Sequence, residues 1–182
     1  VTGGAGNDLY YYANGEFVAA EGLTDSVGGT EVDYVAITSA TPIVDAAFGS
    51  RVGIEGLVTN VTNDGGAPGA AAEVTVGAAA QTTGITRFVT GDDDLNASAY
   101  TVGTTVFGRG AITTGTAADT VTIYGRANES GLSAAQRSFL AGQGFTLQAA
   151  GNFNTAQAFA ASVVLGAGDD TLNAGYALNG AA

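Results

Sequence analysis

The apolar positions of the chain fall in short runs separated by turns rich in Gly, Asn and Asp. Residues 85–89, 101–107 and 120–124 alternate, or nearly alternate, between apolar and polar side chains, which is typical of half-buried strands. The apolar residues are largely Val, Ile, Phe and Tyr interleaved with Thr, and these residue types favour strands. The pattern therefore predicts an all-β fold.

The strongest local turn signal lies near the N-terminus, in residues 9–19. Asn14-Gly15 separates two runs of strand formers, and this dipeptide supplies the two positive-φ residues of a type I′ turn. We expect an antiparallel hairpin here, and hence a mixed β-sheet architecture. The tyrosines at positions 10–12 could form a sugar-stacking platform, but cross-strand packing is the interpretation we prefer.

One segment interrupts the strand pattern, at residues 133–141. Ala135 and Phe139 are spaced as on one face of a helix, Ser133 is a candidate N-cap, and Gly142 follows the last turn. We expect one short helix near 133–141.

Length and composition indicate one folded domain. The chain has 182 residues, 29 of them Gly but only two Pro, and 46% of its residues are hydrophobic, so it has enough apolar surface to bury a core. We expect a single β-rich structural domain over residues 1–182, with a division into residues 1–68 and 69–182 as the alternative.

The missing residue types exclude many activities. The chain contains no His, Cys, Met, Trp or Lys, so it lacks the donors of transition-metal centres and the side chains of Ser-His-Asp and Cys-His catalysis. Its formal net charge of −12 disfavours nucleic acid and anionic membranes. The five scattered arginines are expected to form structural ion pairs. We therefore expect no enzyme, no nucleic-acid binding and no membrane insertion.

A degenerate repeat runs through the turns. Residues 165–175 and 3–10 share one layout, in which Gly6 matches Gly168, Asp8 matches Asp170, and Tyr10 matches Leu172. Weaker copies surround acidic residues at positions 33, 73, 93 and 119. These spacings indicate a unit of about 25 residues, a size found in solenoid proteins.

The repeated turns are candidate calcium sites. Ca²⁺ binds carboxylate and carbonyl oxygens, and glycine permits the positive-φ geometry that turns several carbonyls toward one point. An ordinary solvated Asp/Gly turn is the alternative for any single copy. The predicted calcium ligands are Gly4, Gly6, Asp8, Asp33, Gly91, Asp92, Asp93, Asp94, Asp119, Gly166, Gly168, Asp169 and Asp170.

The remaining acidic residues have no repeated context. We interpret them as turn or solvated residues rather than ligands. They are Asp25, Asp45, Asp64, Glu16, Glu21, Glu55 and Glu129.

Residues 3–10 and 166–175 resemble the glycine- and aspartate-rich nonapeptide of the repeats-in-toxin (RTX) family, G-G-x-G-x-D-x-U-x with U apolar. The resemblance implies calcium held between successive turns, apolar residues pointing into a parallel β-roll, and export by type I secretion. The copies here are isolated, whereas the toxins carry them in tandem. In this respect the chain is more similar to the surface-layer and adhesin members.

The combined expectation is a β-roll, β-solenoid-like or mixed β-sheet protein with calcium turns. We expect it to act outside the cell or on a bacterial surface, as a calcium-dependent structural protein that forms a homo-oligomer or polymer in a surface layer, fibre or adhesive matrix. Cell-surface polysaccharide is a further candidate partner. One alternative is a calcium-binding segment of a larger secreted enzyme or toxin. A minor alternative is a β-helix polysaccharide lyase.

Overall fold

The computed structural model describes residues 2–13, 15–18, 22–24, 31–37, 41–49, 51–59, 72–91, 93–108, 110–124 and 162–175. The strand formers in these ranges build short strands of two to five residues. In chain order they are β1 (Leu9–Tyr12), β2 (Leu23–Thr24), β3 (Tyr34–Ile37), β4 (Arg51–Val52), β5 (Gly56–Thr59), β6 (Glu73–Thr75), β7 (Arg87–Gly91), β8 (Asp94–Asn96), β9 (Thr105–Gly108), β10 (Ile112–Thr113), β11 (Thr120–Tyr124), β12 (Val163–Val164) and β13 (Thr171–Gly175).

The described strands alternate between one long sheet and two shorter ones. The seven-stranded sheet has the order β1-β3-β5-β7-β9-β11-β13, the four-stranded sheet β12-β10-β8-β6, and the two-stranded sheet β2-β4. Every ladder between these strands is parallel. Parallel neighbours need a crossover connection, and here a strand of a shorter sheet lies within each crossover. We call each passage through the long sheet a rung.

The core is made by equivalent positions of successive rungs. Val35, Leu57, Phe88, Val106 and Val121 are in register on neighbouring strands of the long sheet, and all five are fully buried. They share one apolar cluster with residues of the four-stranded sheet. A second cluster lies on alternate positions of the same strands and includes Tyr34, Ala36, Val58 and Val89. Both faces of the long sheet are therefore apolar at β3, β5 and β7, which is common in parallel sheets.

The strand predictions are confirmed, with displaced boundaries. Residues 120–124 form β11, whereas the segments predicted at 85–89 and 101–107 become β7 and β9, which start two and four residues later. Packing across neighbouring rungs decides these boundaries, and the pattern of a single segment does not contain that information.

The predicted N-terminal hairpin is wrong. β1 pairs in parallel with β3, and residues 17–18 are not in a strand. Gly15, at φ 80°, forms a turn in which the Glu16 N–H donates to the Ala13 carbonyl. Phe17 then enters the core, where its ring meets those of Tyr12 and Phe48 at centroid distances of 5.2 and 5.0 Å. Burial of this ring outweighs the local turn preference, and the described sheets are parallel rather than mixed.

The described helical segments are short and lie elsewhere than predicted. α1 (Ala78–Thr83) is a single short α-helix that ends at Gly84, whose φ is 111°. A 3-10 helix spans Asp45–Phe48. The helix predicted near 133–141 lies outside the described residues. Among the residues that the structure describes, no helix is long and apolar enough to cross a membrane.

Candidate functional site

A row of acidic and hydroxyl side chains follows the edge of the long sheet at which its strands begin. Because the strands are parallel and in register, the residues that immediately precede them stack in one line across the rungs. We call this row the edge column. It consists of Asp8, Asp33, Glu55, Thr86, Thr104, Asp119 and Asp170.

Carboxylates of the edge column accept backbone N–H groups from the neighbouring rung. Asp33 Oδ1 accepts the Asp8 N–H at 2.7 Å, and Glu55 Oε2 accepts the Asp33 N–H at 2.9 Å. Toward the other end, Asp119 Oδ1 accepts the Thr104 N–H at 2.7 Å, and Asp170 Oδ1 accepts the Asp119 N–H at 2.9 Å. In all four pairs the carboxylate belongs to the later rung. Each such charged hydrogen bond contributes about 1.5–3 kcal/mol.

Asp119 differs from an ordinary solvated turn residue. It is only 1% exposed, and its Oδ1 also accepts the Thr104 hydroxyl at 2.7 Å. Its Oδ2 is buried and has no hydrogen-bond partner among the described residues. A buried carboxylate oxygen without a partner is costly, so a bound cation would be favourable at this atom.

Glycines let the last described turn lie directly on the preceding one. A Cβ added at Gly166 would overlap the Gly115 carbonyl oxygen, and one added at Gly168 would approach the Ala117 carbonyl oxygen to 2.6 Å. Gly168 also has a φ of 133°, which L side chains rarely adopt. Asp169, in the same turn, is exposed. Gly166 and Gly168 thus place this turn against the carbonyl oxygens of Gly115 and Ala117.

The Asp-rich segment 91–94 does not join the edge column. Gly91 ends β7, Asp92 lies outside the described residues, and Asp93 and Asp94 lie at the start of β8 in the four-stranded sheet. Asp93 is buried and its Oδ1 accepts the Ala72 N–H at 2.8 Å, while exposed Asp94 accepts the Ala111 N–H at 2.6 Å. This segment therefore connects neighbouring strands of the second sheet by the same kind of contact.

The N-terminal turn is exposed to solvent. Gly4 donates its N–H to Asp8 Oδ2 at 3.2 Å, and Gly6 is exposed with a φ of 113°. The structure thus brings the predicted ligands together in the sets Asp8–Asp33 and Asp119–Asp170, and keeps Asp93 and Asp94 apart on another sheet. Among the described ranges, no group of three or more acidic side chains is close enough to hold a metal ion by carboxylates alone.

Three acidic residues interpreted above as turn or solvated residues accept backbone N–H groups: Glu55, Asp45 and, from nearby Ala13 at 3.0 Å, exposed Glu16. Glu55 is half-buried within the edge column. Asp45 Oδ1 accepts the N–H groups of Gly77 and Ala80 at 2.6 and 3.0 Å, and its Oδ2 accepts the Ala79 N–H at 3.0 Å, so it caps α1. Glu55 has an apolar residue two places on, as the repeated turns do, and could have been recognised. Asp45 could not have been recognised in this way, because the backbone N–H groups that it accepts are more than thirty residues away.

The buried charge on Arg51 is also held differently from expectation. Arg51 is 2% exposed and donates to the carbonyls of Ala47 and, at 3.0 Å, Val18. Its guanidinium carbon lies 3.9 Å from the Phe17 ring centroid and 5.4 Å from that of Tyr12. Carbonyl contacts and cation–π contacts, rather than an ion pair between described residues, stabilise this cation.

The hydrogen bonds of the edge column attach one rung to the next. One oxygen each of Asp33, Glu55 and Asp170 accepts a backbone N–H of the preceding rung, so these oxygens hold neighbouring turns together. Comparisons of the chain with protein-family models, with curated proteins and with solved structures find no match.

Proposed function

We propose that this chain is a calcium-dependent structural protein of the bacterial cell surface or extracellular matrix, which assembles into a layer, fibre or adhesive matrix. The observation that carries the proposal is the edge column, in which carboxylates of successive rungs bind backbone N–H groups of their neighbours. Such a column gives a chain of short strands the rigidity that a structural element needs.

The architecture we propose for this role is a β-solenoid. Its support is the regular alternation between the long sheet and the shorter sheets, together with a core formed by in-register residues of successive rungs. In such a protein each rung buries its apolar face only against its neighbours, so the terminal rungs remain able to bind further strands. Self-association then extends the contacts that already hold the rungs together.

Calcium is proposed to bind at the turns of the last rungs. Asp119 Oδ2 is the one buried carboxylate oxygen in these described turns without a hydrogen-bond partner, and Asp170 Oδ1 accepts the backbone N–H of the same residue. Asp119 and Asp170, with turn carbonyls of residues 115–118, would hold the ion. This fits Ca²⁺, which accepts a mixture of carboxylate and carbonyl oxygens, better than an ion that requires several carboxylates. The ion would supply positive charge where the chain concentrates negative charge.

The negative charge of the chain supports a role outside the cell. The chain has 17 acidic and five basic residues. Where calcium is scarce, repulsion between the carboxylates destabilises the compact folded state. Millimolar calcium outside the cell would bind the folded turns and shift the equilibrium toward the folded state. The resemblance to RTX proteins supports type I secretion as the route of export.

A calcium titration of chelated protein tests this proposal. Circular dichroism would follow β-structure and light scattering would follow assembly, with Mg²⁺ at matched ionic strength as the control. We expect order and large assemblies to appear together with Ca²⁺ and not with Mg²⁺. Order without assembly would favour a calcium-binding segment of a larger secreted enzyme or toxin. Folding that is indifferent to chelator would refute the role of calcium.

A further inference from the structure

We infer that copies of this chain stack head to tail, with the turn at residues 166–170 of one copy docked on the turn at residues 4–8 of the next. We call these the C-terminal turn and the N-terminal turn. The inference rests on the proposed structural function and names the surface and partner through which assembly occurs. The partner is a second copy of this chain.

The direction of the hydrogen bonds in the edge column supports this docking. Each carboxylate of the column after Asp8 accepts an N–H from the rung before it, as Asp33 does from Asp8 and Asp170 does from Asp119. Among the described residues, Asp8 is the first member of the column and Asp170 is the last. In a head-to-tail stack, the Asp8 carboxylate of one copy is positioned to accept the Asp170 N–H of another. The column then continues across the junction with the same donor and acceptor.

The backbone of the N-terminal turn already has the form that such a contact requires. Gly6 and Gly168 occupy matching positions and have φ values of 113° and 133°. In the C-terminal turn, Gly166 and Gly168 leave room for carbonyl oxygens of the turn beneath. In the N-terminal turn, a Cβ added at Gly4 or Gly6 would meet nothing within 4 Å. The N-terminal turn thus has the shape for packing on a preceding turn, with the space for that turn open.

The apolar core also ends abruptly at the last described rung. Leu172 is in register with Val121 and continues the row of core residues, yet it is 47% exposed while Val106 and Val121 are fully buried. Tyr10 is at the matching position of the first rung and is half-buried. Stacking would place Tyr10 against Leu172, so the same register that continues the edge column also covers the exposed end of the core.

Charge sets the conditions for docking. Both turns are acidic, and each copy carries a formal net charge of −12, so copies repel one another at low ionic strength. Acidic residues of neighbouring rungs nevertheless stack within the chain, as Asp33 and Glu55 do. We therefore expect docking to strengthen with salt and still more with Ca²⁺.

Disulfide trapping tests the register directly. Ala5 and Ala167 are exposed, occupy matching positions in the two turns, and belong to a chain without cysteine. Neighbouring strands lie about 4.8 Å apart, which is within the Cα separation of about 4.4–6.8 Å that a disulfide spans. An equimolar mixture of Ala5→Cys and Ala167→Cys, oxidised with glutathione disulfide, should yield at least about tenfold more cross-linked dimer than either variant alone. A chain carrying both substitutions should yield a ladder of oligomers.

Two substitutions provide a readout that does not depend on cysteine. Gly4→Ala introduces a Cβ into space that is open in the single chain, and Leu172→Lys places a charge at the exposed end of the core. Both should raise the concentration for half-maximal assembly at least about tenfold and leave the melting temperature of the dilute protein unchanged. Gly49→Ala is the control, because its Cβ meets only the Ala46 carbonyl oxygen, at 3.5 Å.

The outcomes separate this inference from the proposed function. Calcium-dependent assembly that both substitutions leave intact, without the mixed disulfide, would overturn head-to-tail docking while the proposed function stands. A mixed disulfide formed equally in chelator and salt would support docking and refute the calcium dependence. A chain that stays monomeric at millimolar concentration in both salt and Ca²⁺ would overturn docking between copies and point to another polypeptide at these turns.

Discussion

Replacing Asp119 with asparagine tests whether the edge column binds calcium. The substitution preserves the shape of the side chain and the Oδ1 atom that accepts the Thr104 N–H and hydroxyl, both at 2.7 Å. It removes the charge and replaces the unpartnered Oδ2 with an amide nitrogen, which does not bind Ca²⁺. The same variant therefore has different consequences with and without the ion.

In chelator the two effects of Asp119→Asn oppose each other. Each of the two hydrogen bonds to Thr104 weakens by about 1 kcal/mol when its acceptor loses the charge. Removing a buried carboxylate recovers a desolvation penalty of at least similar size, because Asp119 is 1% exposed. We therefore expect the free energy of unfolding to stay within about 1 kcal/mol of the wild type, or to rise.

In calcium the difference becomes large. A site with a Kd of about 0.1 mM stabilises the folded state by about 2.7 kcal/mol in about 10 mM Ca²⁺. Asp119→Asn should lose most of this increment. Urea unfolding followed by circular dichroism, with Ca²⁺ and with chelator, measures it for both proteins.

Asp94→Asn is the matched control for Asp119→Asn. It makes the same chemical change at an exposed carboxylate that also accepts a backbone N–H, from Ala111 at 2.6 Å. This variant should retain the calcium increment. If Asp119→Asn also retained the full calcium-dependent stabilisation, Asp119 Oδ2 would not be a calcium ligand and the reasoning would fail.

Three further variants test other contacts by urea or thermal unfolding. Burial, and secondarily the charge of Asp45, raises the pKa of Tyr100, so the folded state keeps this proton after the unfolded state has lost it. Stability should therefore be complete below about pH 10 and fall above it by up to about 1.4 kcal/mol per pH unit. Tyr100→Phe should abolish this decline. The variant should also be at least as stable as the wild type at neutral pH, because the buried hydroxyl has no hydrogen-bond partner among the described residues. A steep alkaline decline in the variant would contradict this. Asp45→Ala removes the acceptor of three N–H groups at the start of α1 and should cost about 2–3 kcal/mol, whereas Thr82→Ala on the same helix should be nearly neutral. Gly166→Ala forces a Cβ into a backbone carbonyl oxygen and should lower the free energy of unfolding by about 3 kcal/mol or more. Gly4→Ala is the control, because its Cβ meets open space. If Gly166→Ala lost no more stability than Gly4→Ala, the result would count against the stacked turns.

Much of the architecture could be predicted because strand formation leaves a local pattern. Residues 120–124 alternate apolar and polar side chains, and they form β11. The hairpin prediction failed for an equally physical reason. Asn14-Gly15 favours a type I′ turn locally, but the strand before it obtains a full parallel ladder from β3, and Phe17 is buried among aromatic rings.

The site could be predicted in part. The repeated spacing of an acidic residue and an apolar residue two places on identified Asp8, Asp33, Asp119 and Asp170, and these lie together in the edge column. The same spacing around residues 91–94 identified acids that belong to the other sheet. A turn motif indicates that a strand follows it, but it does not indicate which sheet that strand joins.

The sequence by itself determined that this chain is β-rich, acidic and punctuated by glycine turns, because those properties depend on residue type and short-range periodicity. Only the tertiary structure decided which turns are neighbours, since Asp119 and Asp170 are 51 residues apart and Thr104 and Asp119 only 15. Parallel pairing brings both pairs to the spacing of adjacent strands, whatever length of chain separates them. That pairing places scattered aspartates in one column, whose side-chain hydrogen bonds join Asp8, Asp33 and Glu55 at one end and Thr104, Asp119 and Asp170 at the other.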